Sequence, residues 1–166
     1  MLLVFAYGFL SRQPVDDTAP RVGQPLADFT LPDLRGRPVQ LAALRGKVVF
    51  VNVWATWCPP CIEEMPTIQR LYERLHDRGL EVLAVSLDAL GVQVVGPFVQ
   101  NYRLTFPVLL DIKSLVQRLY HTTGVPESFI VDKRGILAEK VIGPRDWAHP
   151  QMLALFERLL AMPAAN

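Results

Sequence analysis

The chain has 166 residues, of which 51% are hydrophobic and 20% are charged, and its formal net charge is +1. These values are ordinary for one globular domain, large enough to bury roughly two thirds of its unfolded surface. The near-neutral balance gives no electrostatic footprint for nucleic acid, so nucleic-acid binding is not expected.

The N-terminal segment is apolar, and a polar, proline-rich stretch follows it. Residues 1–10 read MLLVFAYGFL, which as a helix would reach roughly 15 Å, about half of a bilayer core. They lack the basic beginning and the small-residue cleavage site of a complete signal peptide. We interpret them as the distal half of a truncated membrane anchor; a strand or a strip of apolar contact is the alternative. The predicted division is an N-terminal region with linker, 1–21, and a folded domain, 22–166.

From residue 26 onward, the chain alternates between patterns typical of strands and of helices. The run KVVFVNVW at 47–54 is apolar and β-branched, as expected of a central strand buried on both faces. In chain order, the predicted elements are a hairpin within 29–44, a strand at 47–54, a helix at 59–78 containing Pro66, a strand at 81–88, a helix from about 97 to 103, a strand at 106–111, a helix at 112–120, strands at 128–132 and 136–142, and a C-terminal helix carrying the apolar residues of 152–160. This order predicts an α/β sandwich with a mixed sheet.

Both cysteines of the chain stand in the stretch WATWCPPC, residues 54–61. A disulfide between Cys58 and Cys61 would close a loop too short to add much stability to a domain of this size. A closed zinc site needs four ligands, and the three histidines are scattered without ligand spacing. The pattern therefore favours a dithiol that opens and closes over a structural staple or a metal clip.

The position of this pair in the chain predicts its chemistry. Cys58 follows a predicted strand and Cys61 lies in the first turn of a predicted helix, where unpaired N–H groups favour a thiolate. We expect Cys58 to attack a disulfide and Cys61 to resolve the mixed disulfide that forms. Pro59 and Pro60 have no N–H to donate to the Cys58 sulfur, so its thiolate is less stabilised and the dithiol should act as a reductant.

Two motifs resemble those of the thioredoxin superfamily. VNVWATWCPPC at 51–61 and TGVPESFIVD at 123–132 are similar to motifs of its extracytoplasmic TlpA, ResA and DsbE (CcmG) group. The resemblance spans roughly 22–162 and includes the early hairpin, a helix-plus-strand insert at 92–110 and the segment IGPRDW at 142–147. It implies a thioredoxin-like fold, with a central mixed sheet flanked by helices. It also implies a thiol–disulfide oxidoreductase that needs no cofactor besides its own redox-active disulfide.

The resemblance also implies roles for individual residues. Val125–Pro126 matches the family's cis-proline, which lies beside the dithiol and leaves the preceding backbone free to pair with a substrate strand. Thioredoxin carries a buried aspartate at the position of Asn52, and an amide cannot accept a proton in its place. Glu64 matches a glutamate of ResA-like proteins and shares a helix face with Cys61, so we assign it as the proton acceptor for Cys61. The alternative for Glu64 is a solvated first-turn carboxylate that complements the helix dipole.

Glu127 resembles the glutamate of the Pro-Glu pair in CcmG-like proteins. A carboxylate near the dithiol would disfavour thiolates by like-charge repulsion and select basic partners. A solvated charge at the end of a strand is the alternative. The predicted substrate groove consists of Trp57, Pro59, Pro60, Val125, Pro126 and Glu127.

The group implies protein disulfides as substrates, apocytochrome c among them, and a membrane electron donor of the DsbD or CcdA kind. It also implies a periplasmic or other extracytoplasmic location, with the N-terminus as an anchor in the inner membrane. Two alternatives stay open. One is a thiol peroxidase, whose folds share the early hairpin but whose chemistry needs one peroxidatic cysteine. The other is a non-catalytic module that binds a partner or a metal, although no metal site is expected.

Overall fold

The computed structural model describes residues 19–164. The predicted anchor segment at 1–10 lies outside the described residues, and the division after residue 21 stays a prediction. Within the described part of the chain, no helix combines the length and the apolar character needed to cross a bilayer.

Strands and helices alternate along the described chain in the predicted order. The strands are β1 (Thr30–Pro32), β2 (Pro38–Gln40), β3 (Val48–Trp54), β4 (Leu80–Ser86), β5 (Val108–Leu110), β6 (Glu127–Val131) and β7 (Leu137–Ile142). The α-helices are α1 (Pro59–Leu75), α2 (Val92–Asn101), α3 (Leu115–Leu119) and α4 (Pro150–Ala161).

Strand β3 is the centre of a five-stranded mixed sheet with the order β5-β4-β3-β6-β7. It pairs in parallel with β4 and antiparallel with β6, while β5 and β7 form the two edges. Strands β1 and β2 form a separate antiparallel hairpin. All of β3 is buried, as its apolar run predicted. The predicted mixed sheet with flanking helices and an N-terminal hairpin is therefore confirmed.

The sheet separates two apolar layers. On one side, α1, α2 and α4 pack against it through residues such as Met65, Val95 and Phe156. On the other side, the hairpin and α3 cover it through Leu31 and Val116. Burial of each large apolar side chain contributes about 1.5–3 kcal/mol to the free energy of folding. Because β3 lies between these two layers, its position and that of the residues that follow it are well fixed.

The start of α2 differs from the prediction. The sequence favours a helix beginning near Pro97, but α2 begins at Val92 and continues through the proline. A proline ring clashes mainly with the Cβ and N–H of the residue before it. That residue is Gly96, which has no Cβ, and this lowers the barrier to a helical conformation there.

The start of α3 also differs. The predicted helix included Ile112, whereas α3 begins at Leu115. The carboxylate of Asp111 accepts the N–H groups of Leu115 at 2.6 Å and of Val116 at 2.9 Å, so it satisfies the first turn from outside the helix. Ile112 is left exposed in the connection before the helix.

The end of α1 agrees with the prediction. The helix passes through Pro66, and a short 3₁₀ turn, His76–Arg78, follows its last residue. Gly79 then adopts a φ of 102°, a left-handed conformation that favours glycine. The chain turns there into β4.

Candidate active site

The two cysteines lie where the buried strand β3 leads into α1. Cys58 is the N-cap of α1, and its Sγ accepts the N–H of Cys61 at 3.3 Å. The two residues form a disulfide with their Cα atoms 5.3 Å apart. Cys58 is 5% exposed, whereas Cys61 is fully buried. This asymmetry is what an outer attacking sulfur and an inner resolving sulfur require.

The two prolines of the motif occupy the first turn of α1. Pro59 and Pro60 have no N–H, and the amide that reaches the Cys58 sulfur is that of Cys61. The sulfur therefore receives one backbone hydrogen bond at a position where a helix start without prolines would offer more.

A buried carboxylate holds the loop that precedes Cys58. Asp88, just after β4, accepts the backbone N–H of Thr56 at 3.0 Å and its hydroxyl at 2.6 Å. The hydroxyl of Ser86 donates to the same carboxylate at 2.8 Å. These contacts tie the loop that carries Trp57 to the end of the neighbouring strand.

The outer cysteine lies in an open groove of about 510 Å³. The Val125–Pro126 peptide bond is cis, as predicted. The carbonyl oxygen of Val125 lies 3.6 Å from the Cys58 Sγ. Trp57 is 66% exposed at the rim. The groove is lined by Trp57, Cys58, Pro59, Pro60, Leu87, Gln117, Thr123, Gly124 and Val125.

The groove includes four of the six residues predicted for it, and four others that the sequence did not indicate. Leu87 follows β4, Gln117 belongs to α3, and Thr123 and Gly124 precede the cis-proline. Only the last two lie within a recognisable motif, the TGVPESFIVD stretch. Pro126 is buried and is not a lining residue, although its cis bond sets the path of Val125 before it.

Glu127 does not line the groove. Its side chain is 1% exposed, and its Oε1 lies 2.6 Å from the Nζ of Lys140 on β7. The interpretation of Glu127 as a solvated charge at a strand end is therefore wrong. Because this carboxylate is buried and an ammonium group pairs with it, its charge has no open path to a bound partner.

Glu64 is buried near the start of α1, the helix that carries Cys61, with 2% of its surface exposed. Its Oε1 accepts from Asn52 Nδ2 at 2.8 Å, and its Oε2 accepts from Trp147 Nε1 at 3.0 Å and from the N–H of Arg145 at 3.2 Å. Burial raises the pKa of Glu64, and the hydrogen bonds from Trp147 and Asn52 oppose that rise. The alternative of a solvated first-turn carboxylate is wrong for Glu64, although the neighbouring Glu63 is exposed.

The segment between β7 and α4 is docked onto α1 around this carboxylate. The hydroxyl of Thr67 donates to the carbonyl of Glu64 at 2.7 Å and accepts the backbone N–H of Trp147 at 3.0 Å. The Trp147 ring is fully buried against Phe50, with ring centroids 4.4 Å apart. The IGPRDW stretch had marked this segment as similar to the family. It did not indicate that the indole of Trp147 donates a hydrogen bond to Glu64.

The fold and the site together define a class: this is a thiol–disulfide oxidoreductase with a thioredoxin-like fold. A strand-to-helix dithiol beside a cis-proline and a groove is the arrangement that the sequence motifs predicted. The family described as AhpC/TSA matches residues 22–140, and the chain belongs to this family.

Individual relatives and solved structures agree with this class. Thiol-disulfide oxidoreductase ResA of Bacillus cereus is 37% identical over 145 residues, covering 86% of this chain and 83% of the relative. A chain from Chlorobium tepidum, provisionally named thiol:disulfide interchange protein DsbE, superposes with a TM-score of 0.74 at 30% identity, covering 86% of this chain and 96% of that one. StoA from Bacillus subtilis superposes with a TM-score of 0.63 at 30% identity, covering 72% and 90%. The predicted fold and enzyme class are confirmed.

Proposed function

We propose that this protein reduces disulfides of other proteins outside the cytoplasm, by exchange through Cys58 and Cys61. The observation that carries the proposal is the asymmetry of the pair: one sulfur lies in an open groove and the other is sealed behind it. An extended protein segment has access to Cys58 and none to Cys61. A structural staple would have no use for such a groove.

The proposed exchange begins with both cysteines reduced. The Cys58 thiolate attacks one sulfur of the substrate disulfide, and the other substrate sulfur leaves as a thiolate. Cys61 then gives its proton to Glu64 and attacks the Cys58 sulfur. The Cys58–Cys61 disulfide forms and the second substrate thiolate leaves. Two electrons pass to the substrate, and a membrane electron donor of the DsbD or CcdA kind would return them.

The direction of transfer is supported by the first turn of α1. Pro59 and Pro60 leave the amide of Cys61 as the backbone donor to the Cys58 sulfur. A thiolate with few donors makes the reduced form less favoured, and a dithiol of that kind gives up electrons readily. Equilibration with glutathione measures the potential. A value near that of the strong oxidant DsbA would contradict the proposed direction.

Apocytochrome c is the proposed substrate within this class, on the resemblance of the Pro126–Glu127 pair to CcmG-like proteins. The buried ion pair of Glu127 with Lys140 gives no support for charge selection by that glutamate. The test compares an oxidised Cys-X-X-Cys-His peptide with oxidised insulin as substrates. Faster reduction of the peptide supports the proposal, and equal or slower reduction contradicts it.

The extracytoplasmic location and the anchor are proposed from the apolar residues 1–10 and from the resemblance to the TlpA, ResA and DsbE group. Fractionation of cells that express the full gene product tests both. Recovery in the membrane fraction, with the domain accessible to external protease, is the expected result. Recovery in the cytosol alone would overturn the location.

The central experiment is trapping with the variant Cys61→Ser. Because the resolving sulfur is missing, mixed disulfides between Cys58 and its substrates should accumulate, and mass spectrometry identifies them. Cys58→Ser is the matched control, and it should trap nothing. Equal trapping by both variants would contradict the assigned roles. Peroxide consumption by the wild-type protein, measured in parallel, would favour the thiol peroxidase alternative.

A further inference from the structure

In the side-chain amide of Asn52, only the NH₂ group makes hydrogen bonds among the described residues. Asn52 is fully buried on β3. Its Nδ2 donates to Glu64 Oε1 at 2.8 Å and to the hydroxyl oxygen of Ser128 at 3.0 Å. Its Oδ1 is buried and has no hydrogen-bond partner among the described residues. An unpartnered buried carbonyl oxygen is unfavourable, so its presence beside a titratable group needs a physical reason.

This orientation suits the ionised form of Glu64. The Oε2 atom already accepts two donors, from Trp147 and from the backbone of Arg145. A proton arriving at Glu64 is therefore best accommodated on Oε1. On the lone pair of Oε1 that now accepts from Asn52, this proton would face the NH₂ group, donor against donor. The observed hydrogen bonds fit the carboxylate, and a proton on that lone pair requires the other orientation of the amide.

A half-turn of the amide removes this conflict. Rotation about the last side-chain bond of Asn52 exchanges Oδ1 with Nδ2. The Oδ1 atom then accepts the proton on Glu64 Oε1 and the hydroxyl proton of Ser128, because a serine hydroxyl serves as donor as well as acceptor. The Nδ2 atom takes the unpartnered place. The two orientations make equal numbers of hydrogen bonds, one set matched to each protonation state of Glu64.

We propose that Asn52 is a positioning residue whose amide rotates with the protonation of Glu64, so that this residue is hydrogen-bonded both before and after it takes a proton from Cys61. The inference rests on the proposed role of Glu64 in the exchange reaction. An aspartate in place of Asn52 would compete for the same proton. The amide of Asn52 and the hydroxyl of Ser128 do not titrate in this pH range. They therefore reorient when Glu64 gains or loses a proton, and they do not take up that proton themselves.

The proton also has a way out of the site. A second groove of about 280 Å³ opens over Glu64 and shares no lining residue with the groove at Cys58. The titratable and charged groups around Glu64 are the buried Cys61 and the exposed Glu63 on α1, and the exposed Arg145 and Asp146 on the segment before α4. The strands β3 and β6 present the uncharged Asn52 and Ser128.

Neutron diffraction from deuterated crystals of the wild-type protein tests the rotation directly. The titration of Glu64 is first located by NMR of protein with ¹³C-labelled glutamate, and crystals are then measured below and above it. Above it, the deuterons of Nδ2 should face Glu64 and Ser128. Below it, Oδ1 should face them, with a deuteron on Glu64 Oε1. The same amide orientation at both values would overturn the proposal.

A solution experiment separates a rotating amide from a fixed donor. Trp147→Phe removes an indole N–H, which can only donate, so it should raise the measured pKa of Glu64 by about one unit. A rotating Asn52 stabilises both forms, so Asn52→Leu should shift the same pKa by less than about a third of that amount. A rise as large as that of Trp147→Phe would show that Asn52 is a fixed donor.

Failure of the proposed role of Glu64 would be seen elsewhere. If Glu64→Gln left the pH dependence of Cys61 reactivity unchanged, the role of Glu64 in the exchange would be wrong. The neutron and NMR experiments follow the proton on Glu64 itself, and their results would stand independently of that outcome.

Discussion

Glu64 and Asp132 are buried carboxylates near opposite ends of the central sheet, and their pKa values shift in opposite directions. Asp132 follows β6 at the turn into β7, where its Oδ1 accepts the N–H groups of Arg134 at 2.9 Å and Ile136 at 3.0 Å. The Arg134 guanidinium contacts its Oδ2 at 2.8 Å. Glu64 lies on α1, three residues after Cys61, with Asn52, Trp147 and a backbone amide as donors.

Burial opposes ionisation at both sites, and the surroundings decide the result. At Asp132, the hydrogen bonds from Ile136 and Arg134, together with the charge of Arg134, outweigh burial and lower the pKa. At Glu64, burial outweighs the hydrogen bonds from Trp147 and Asn52 and raises the pKa. A carboxylate paired with a guanidinium is a structural contact, whereas one buried among mainly neutral donors is prepared to accept a proton. The end of the sheet at Glu64 should therefore matter for the reaction, and the end at Asp132 for stability.

The largest effect should come from Cys58→Ser. The attacking sulfur is lost, so the rate of insulin reduction should fall by at least about 1000-fold. The free energy of unfolding of the reduced protein, measured in urea, should change by less than about 1 kcal/mol, because a hydroxyl replaces a small side chain at the groove. A variant that still reduced insulin at a tenth of the wild-type rate would remove Cys58 from its role.

Glu64→Gln should slow the release of substrate from the mixed disulfide. The proton acceptor for Cys61 is lost, so we expect a fall of about 100-fold and a flatter pH profile. Stopped-flow measurement of the second exchange step provides the test. Glu63→Gln, on the same helical turn but exposed, is the matched control and should behave as wild type. Equal effects of the two variants would mean that only the net charge matters.

Asp132→Asn should affect stability and leave the chemistry alone. The substitution loses the ion pair with Arg134 and leaves an NH₂ group against its guanidinium, so the free energy of unfolding should fall by about 2 kcal/mol. Urea denaturation measures this loss. Insulin reduction at a temperature where the variant is folded should keep the wild-type rate. Asp77→Asn, an exposed position with the same change of charge, should change stability by less than about 0.5 kcal/mol.

The dependence of stability on pH should also differ in sign between the two carboxylates. The lowered pKa of Asp132 gives stability that is present above its ordinary value of 3.8 and is lost as the pH falls through the folded-state value. The raised pKa of Glu64 works the other way. Stability is complete below the ordinary value of 4.5 and decreases as the pH rises through the folded-state value. Asp132→Asn should therefore flatten the acid limb of a urea-unfolding series, and Glu64→Gln the limb at higher pH. Flattening of the same limb by both variants would contradict the comparison.

The smallest effect should come from Trp57→Ala. The side chain is largely exposed at the groove rim, so its loss should leave the free energy of unfolding within about 0.5 kcal/mol of wild type. Contact with substrate should weaken, and KM for a protein substrate should rise by roughly threefold to tenfold with little change in kcat. An unchanged KM would remove Trp57 from the substrate groove.

Much of the fold and the centre of the site could be predicted from sequence. The apolar run of β3, the dithiol at the start of α1 and the glycine that ends this helix are local patterns, each written in a few consecutive residues. The cis-proline at Pro126 came from the resemblance of a short motif. The start of α2 was misjudged, because the local rule that places proline in a first turn competes with the tolerance that Gly96 provides.

Short stretches of sequence are enough to show which residues carry sulfur, where strand gives way to helix and which class of chemistry follows. The surroundings of the carboxylates depend on how the whole chain packs: Glu127 is buried against Lys140, and Glu64 is held by Trp147 and Asn52. The difference arises from separation along the chain. Motifs and periodicity describe neighbours within a turn or a strand, whereas the donor that Trp147 offers to Glu64 comes from 83 residues away and depends on how the sheet and helices pack.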